Sequence, residues 1–167
     1  MNNPFSKLIW QKDCPDGRMN KDKFIELYCH LYPNGKADRF CKQVFKVFDQ
    51  DNNGFVDFSE FLMVISSTTM GDLRKKLNMA FKIYDIDQNG LVDQNEMEKI
   101  ITAIYELMGK EDEHNSYSSS SLEASTEIVK QIISKLDKNN DKSLSRDEFI
   151  EGCLADPDIR NLLVPIS

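Results

Sequence analysis

Residues 49–60 read DQDNNGFVDFSE, and the fold follows from their order. Asp49, Asp51 and Asn53 put oxygen-bearing side chains at alternate positions, so a curled backbone turns all three toward one point. Gly54 follows where the chain has to turn sharply. Phe55 offers a main-chain carbonyl, Asp57 acts directly or through a water, and Glu60 in the twelfth position supplies two oxygens. A hard divalent cation such as Ca2+ takes roughly six to eight oxygens, and this order of groups provides them. An acidic surface turn is the bland alternative. It does not account for a pattern filled at every position between two amphipathic helical stretches.

This is the order of an EF-hand loop, and it recurs along the chain. Residues 85–96, DIDQNGLVDQNE, match it throughout with Asp85, Asp87, Asn89, Gly90, the Leu91 carbonyl, Asp93 and Glu96. Residues 137–148, DKNNDKSLSRDE, present Asp137, Asn139, Asp141, the Ser143 carbonyl, Ser145 and Glu148. Here Lys142 stands where glycine is usual. A position that needs a positive φ costs a lysine on the order of 1 kcal/mol. This loop also offers three carboxylates against four in each of the other two, so it is expected to bind calcium more weakly. A fourth stretch, 12–23 (KDCPDGRMNKDK), keeps Asp16, Gly17 and Met19 but has Lys12 and Lys23 at the first and twelfth positions, with Cys14 and Pro15 between. Two ammonium groups in place of carboxylates repel a cation. This stretch reads as a hand that keeps its fold without its metal.

Helical patterns flank every loop. Phe24, Leu27, Tyr28 and Leu31 recur at helical spacing behind Asn20 as N-cap, and Pro33-Asn34-Gly35 breaks the chain. A helix over 37–48 carries Phe40, Val44, Phe45 and Phe48, and the exiting helix carries Phe61, Leu62 and Ile65. Leu73, Leu77, Ala80, Phe81 and Tyr84 mark a helix over 72–84. Met97, Ile100, Ile101, Ile104, Tyr105 and Met108 mark a longer one, ended by Gly109. Another runs over 128–136, and Pro157 opens a short helix at 159–163. The expected fold class is all-α, with four EF-hands in two pairs and a bilobal, calmodulin-like layout. The expected divisions are an N-terminal pair at 1–67, a hinge at 68–71 and a C-terminal pair at 72–167. The last contains a flexible insertion at 110–121 (KEDEHNSYSSSS) and the C-terminal helix.

Hands pair through the residue at loop position eight. This predicts bridges between Met19 and Val56 and between Val92 and Leu144. When a sensor hand captures its ion with the twelfth-position Glu, its exiting helix swings out and uncovers apolar surface. The aromatic and aliphatic surplus of the first half names the groove candidates: Trp10, Phe24, Tyr28, Phe40, Phe45, Phe48, Phe61 and Ile65. A lobe of this size is not expected to bury so many rings, and an amphipathic target helix would use the excess. The run Ile159, Leu162, Leu163 and Val164 is a candidate built-in competitor for such a groove.

Composition excludes other classes. The 167 residues are 40% hydrophobic and carry a net charge of −7, which disfavours nucleic acid as a partner. Cys14, Cys29, Cys41 and Cys153 form no CxxC pair, so free thiols and a cytoplasmic setting are expected. No secretory leader and no run approaching about 18 apolar residues is read, so no membrane span is expected. His30 and His114 lie in no nucleophile motif, and no enzyme is expected. The function expected is a calcium sensor acting on target proteins; the alternative is a cytosolic calcium buffer. Calcium is expected in up to three loops, with Mg2+ a candidate occupant at low calcium.

Taken together, KDCPDGRMN, FIELYCHLYPNGKADRF, LNMAFKIYDID, EMEKIITAIYELMG and FIEGCLADPDI resemble the neuronal calcium sensor family, which includes recoverin, frequenin, hippocalcin and the visinin-like proteins. The resemblance spans residues 8–163. It implies a recoverin-like arrangement of two pairs, calcium in up to three loops and an N-terminal groove for helices of receptors, channels, kinases or cyclases. One departure is that Asn2 follows Met1 where the family has a Met-Gly myristoylation signal, so no N-myristoylation is expected.

Overall fold

The computed structural model describes residues 14–31, 33, 35–69, 72–108 and 120–164; the side chains of 31, 65–69 and 120–125 are not among the described parts. Trp10 therefore lies outside the described residues, as do Lys12 and most of the insertion. Among the described residues, four short strands alternate with pairs of helices. They are β1 Arg18–Asn20, β2 Phe55–Asp57, β3 Leu91–Asp93 and β4 Ser143–Ser145. The helices are α1 Lys21–Leu31, α2 Asp38–Phe48, α3 Phe58–Thr69, α4 Leu73–Tyr84, α5 Gln94–Leu107, α6 Ser120–Leu136, α7 Arg146–Ala155 and α8 Pro157–Leu163.

Several helices start where a short polar side chain can accept their orphan N–H groups, whereas α2 starts behind Ala37 with no side-chain cap. Asn20 accepts from the Lys23 N–H at 2.9 Å. Asp72 accepts from Arg74, and Asp156 accepts from Asp158 and Ile159 with Pro157 in the first turn. Two boundaries differ from expectation. Helix α3 continues to Thr69, so residues 68 and 69 of the expected hinge are helical. Helix α6 starts at Ser120, inside the expected insertion and well before 128.

The strands pair antiparallel as β1–β2 and β3–β4. Met19 faces Val56 and Val92 faces Leu144, all four buried, as the position-eight reading requires. Around these bridges the apolar residues of both halves form one connected cluster, from Phe24 and Val64 to Phe81, Ile104 and Phe149. The halves share this core because α2 packs on α4 and α5 of the second half as well as on α1 and α3.

The expectation that the first half could not bury its rings needs correcting. Phe24, Phe40, Phe45 and Phe48 are buried, while Tyr28 and Phe61 are half-buried. Phe24 stacks edge-on against Phe45 and Phe48 with centroids 5.6 and 5.3 Å apart, and Phe48 meets Phe61 at 6.1 Å. Edge-to-face pairs let rings share a small volume, and the second half supplies part of the cover. The C-terminal helix α8 folds back on α7, burying Ile159 and Leu163.

Candidate metal sites

In the second loop the two carboxylate oxygens of Asp49 accept the N–H groups of Asn53 and Gly54, each at 3.0 Å. Asp51 accepts from the Asn53 main chain at 3.1 Å and from its side-chain amide at 2.7 Å. Glu60 closes the ring. Its Oε1 accepts from the Gln50 N–H at 2.9 Å and its Oε2 from the Asp57 N–H at 3.0 Å, while Asp57 accepts in return from the Glu60 N–H. The twelfth residue thus ties both ends of the loop to the first turn of α3. The third loop repeats this pattern: Asp85 accepts from Asn89 and Gly90, Asp87 from Asn89, and Glu96 from Ile86, Asp87 and Asp93. Asp93 and Glu96 form a capping box at the start of α5, so one pair of residues serves both the helix start and the loop.

These bonds hold like charges together. Carboxylate oxygens of Asp49, Asp51 and Glu60 lie within 4.8 Å of one another, as do those of Asp85, Asp87 and Glu96. Near a protein surface such charges repel by up to about 4 kcal/mol per pair. Asp49, Asp85 and Glu96 are buried as well, which raises the cost of leaving them uncompensated. Every donor is an oxygen, with no His or Cys among them. The set therefore fits a hard cation of the calcium or magnesium kind, not zinc.

The fourth loop is arranged differently. Asp137 accepts from Asn140 at 2.7 Å and Lys142 at 2.9 Å, and the Asn139 amide donates to Asp141 where the other loops have the Asn and Asp exchanged. Among the described residues, Asp137, Asp141 and Glu148 do not form a carboxylate cluster of the kind seen in the other two loops. Glu148 is held by the Ser145 hydroxyl at 2.6 Å and the Ser145 N–H at 2.9 Å, and these bonds lower its pKa. Lys142 adopts φ +67°, the left-handed backbone expected of that position.

A second left-handed position escaped the sequence reading. Asn52, Gln88 and Asn140, fourth in their loops, have φ of 56°, 60° and 60°. Asparagine at two of the three was the available signal, since it tolerates this region better than most residues. In the first loop the fourth residue is Pro15, whose ring holds φ near about −65°. That loop cannot take the curl of the others even apart from its lysines. Gly17 keeps φ +75°, and Cys14 and Met19 are buried, so its role in the core persists.

Residues 74–154 match the model of an EF-hand domain pair, and residues 40–68 match the model of an EF hand domain. The chain is 43% identical to neuronal calcium sensor 1 of Aplysia californica over 154 residues, covering 90% of this chain and 76% of that protein. It is 40% identical to neuronal calcium sensor 1 of Lymnaea stagnalis over the same shares. The chain belongs to the neuronal calcium sensor family. It is an all-α EF-hand protein, and the matched domains together with the two acidic clusters point to calcium binding. Among the described residues no helix is long and apolar enough to cross a membrane.

The groove candidates of this family member are placed as follows. Phe24, Phe40, Phe45 and Phe48 form the interior of the first half, with Tyr28 and Phe61 at its margin. Met63, on the same helix as Phe61, is 55% exposed. Trp10 and the Ile65 side chain lie outside the described parts.

Proposed function

We propose that this chain is a calcium sensor that regulates target proteins through an apolar groove in its N-terminal half. The ligands are Asp49, Asp51, Asn53, Phe55, Asp57 and Glu60 in the second loop and Asp85, Asp87, Asn89, Leu91, Asp93 and Glu96 in the third. Asp137, Asn139, Asp141, Ser143, Ser145 and Glu148 form a weaker set in the fourth. Calcium would supply a point charge that draws these oxygens inward.

The observation that carries the reading is the placement of Glu60 and Glu96 in the first turns of α3 and α5, tied by hydrogen bonds to both ends of their loops. A shift of either carboxylate must move the helix that carries it. For α3, such a shift separates Phe61 from Phe48 and opens the ring cluster beside exposed Met63. An amphipathic helix of a receptor, channel, kinase or cyclase is the partner suited to that surface. The setting proposed is cytoplasmic, with membranes reached through a partner.

One observation favours a second reading, a calcium buffer that binds without opening: four of the candidate rings are buried. The two are separated by an apolar dye whose fluorescence rises on exposed hydrophobic surface. A sensor gives a calcium-dependent rise that Glu60→Gln abolishes. Calcium uptake with an unchanged dye signal leaves the buffer.

A further inference from the structure

The connector between α1 and α2 seats directly on the last turn of α5. A Cβ on Gly35 would lie 1.7 Å from the Leu107 carbonyl oxygen, a main-chain atom that cannot swing aside. Next to it the Lys36 N–H donates to the Glu106 carbonyl oxygen at 2.8 Å. One helical turn further, the Arg39 guanidinium donates to Glu106 Oε1 at 3.0 Å. Two contacts from the connector and one from the first turn of α2 thus converge on a helix end, where carbonyls lack partners within the helix.

Helix α5 has the third loop at its other end, with Glu96 in its first turn and Glu106 in its last. Its 14 residues span about 21 Å, and they are buried along one side from Met97 to Leu107. Its two ends therefore move together. The connector leads into α2, which runs straight into Asp49 of the second loop. A continuous packed route joins Glu96 to Asp49 through two rigid helices and one tight contact.

We infer that the contact of Gly35, Lys36 and Arg39 with Glu106 and Leu107 is a positioning joint through which the second and third loops alter each other's affinity for calcium. This rests on the calcium reading of those loops. The close approach at Gly35 is the stronger element. Arg39 is 71% exposed, so its ion pair with Glu106 is largely screened by water.

The test is calorimetric titration of the full chain with calcium. Glu60→Gln and Glu96→Gln, made singly, must each remove one site; failure here overturns the calcium reading itself, separately from the joint. With that reading intact, disabling the third loop by Glu96→Gln should change second-loop affinity by about fivefold or more in the otherwise native chain. In Gly35→Ala the same change should shrink to less than about twofold, with circular dichroism showing both halves folded. Should Gly35→Ala fail to fold, Arg39→Ala combined with Glu106→Ala should reduce the change measurably. The joint is overturned if the native chain shows no change, or if the folded variant keeps it undiminished.

Discussion

The Tyr84 hydroxyl donates to the main-chain carbonyl of Leu163 at 3.0 Å, with both residues buried. This bond ties the C-terminal helix α8 to α4, the helix that enters the third loop. Burial pushes the Tyr84 pKa far above its ordinary value, so the hydroxyl stays a donor throughout the working pH range. Tyr84→Phe keeps the ring against Phe149 but leaves a buried carbonyl without its donor. The expected cost is about 1–3 kcal/mol, read as a lower urea midpoint with an unchanged slope.

Lys142 occupies a left-handed backbone position that glycine fills in the second and third loops. Lys142→Gly should relieve roughly 1 kcal/mol of strain, much of it offset by the extra freedom of glycine in the unfolded chain. Overall stability should therefore move little. Removing the ammonium from beside the loop should raise fourth-loop calcium affinity and leave the other two loops as they were. Competition against a fluorescent chelator measures this, and equal affinity in both proteins would contradict the assigned role of Lys142.

Asp156 is paired with the Lys135 ammonium and accepts two N–H groups from the start of α8. The Lys135 hydrogen bond, then those of the helix, hold its pKa below the ordinary 3.8. A depressed folded value means that this contribution to stability is complete above the ordinary value and is lost as pH falls through the lower one. Acid should thus loosen α8 only below about pH 4. Asp156→Asn keeps a cap oxygen but cannot titrate, so its α8 signals in an NMR pH series should lose that acid step.

The four cysteines differ in access. Cys29 is exposed, while Cys14, Cys41 and Cys153 are buried. Burial is the main cause that pushes the Cys41 and Cys153 thiols up to about 12, so both remain protonated at neutral pH. Iodoacetamide should add once to the native protein, at Cys29, and to the other three only after denaturation. Rapid labelling of Cys41 in the native state, seen by peptide mass spectrometry, would contradict its burial.

Much of the candidate site was legible because an EF-hand loop is local. Asp49, Asp51, Asn53 and Glu60 lie within twelve residues, and their spacing alone brings their oxygens together. The bridges Met19–Val56 and Val92–Leu144 were legible too, since position eight is the same point of each repeat. The helix starts at Asn20, Asp72, Asp93 and Ser145 follow from side chains that reach no further than their own first turn. Less visible was the left-handed residue at position four, because Gln88 carries no sign of it.

The sequence by itself determined the loops, their order, the lysines that stand for carboxylates in the first and the smaller number of carboxylates in the fourth. These follow from groups joined by a few bonds along one backbone. Only the tertiary structure decided that Phe24, Phe40, Phe45 and Phe48 are interior, that α8 is tied to Tyr84, and that Gly35 rests on Leu107. Each of these depends on atoms far apart in the chain meeting at van der Waals distance. Helical periodicity records which face of a helix is apolar but not which distant helix covers it. Gly35 illustrates the limit: in sequence it is a chain break after Pro33, and in the fold it is one of the points where the two halves touch.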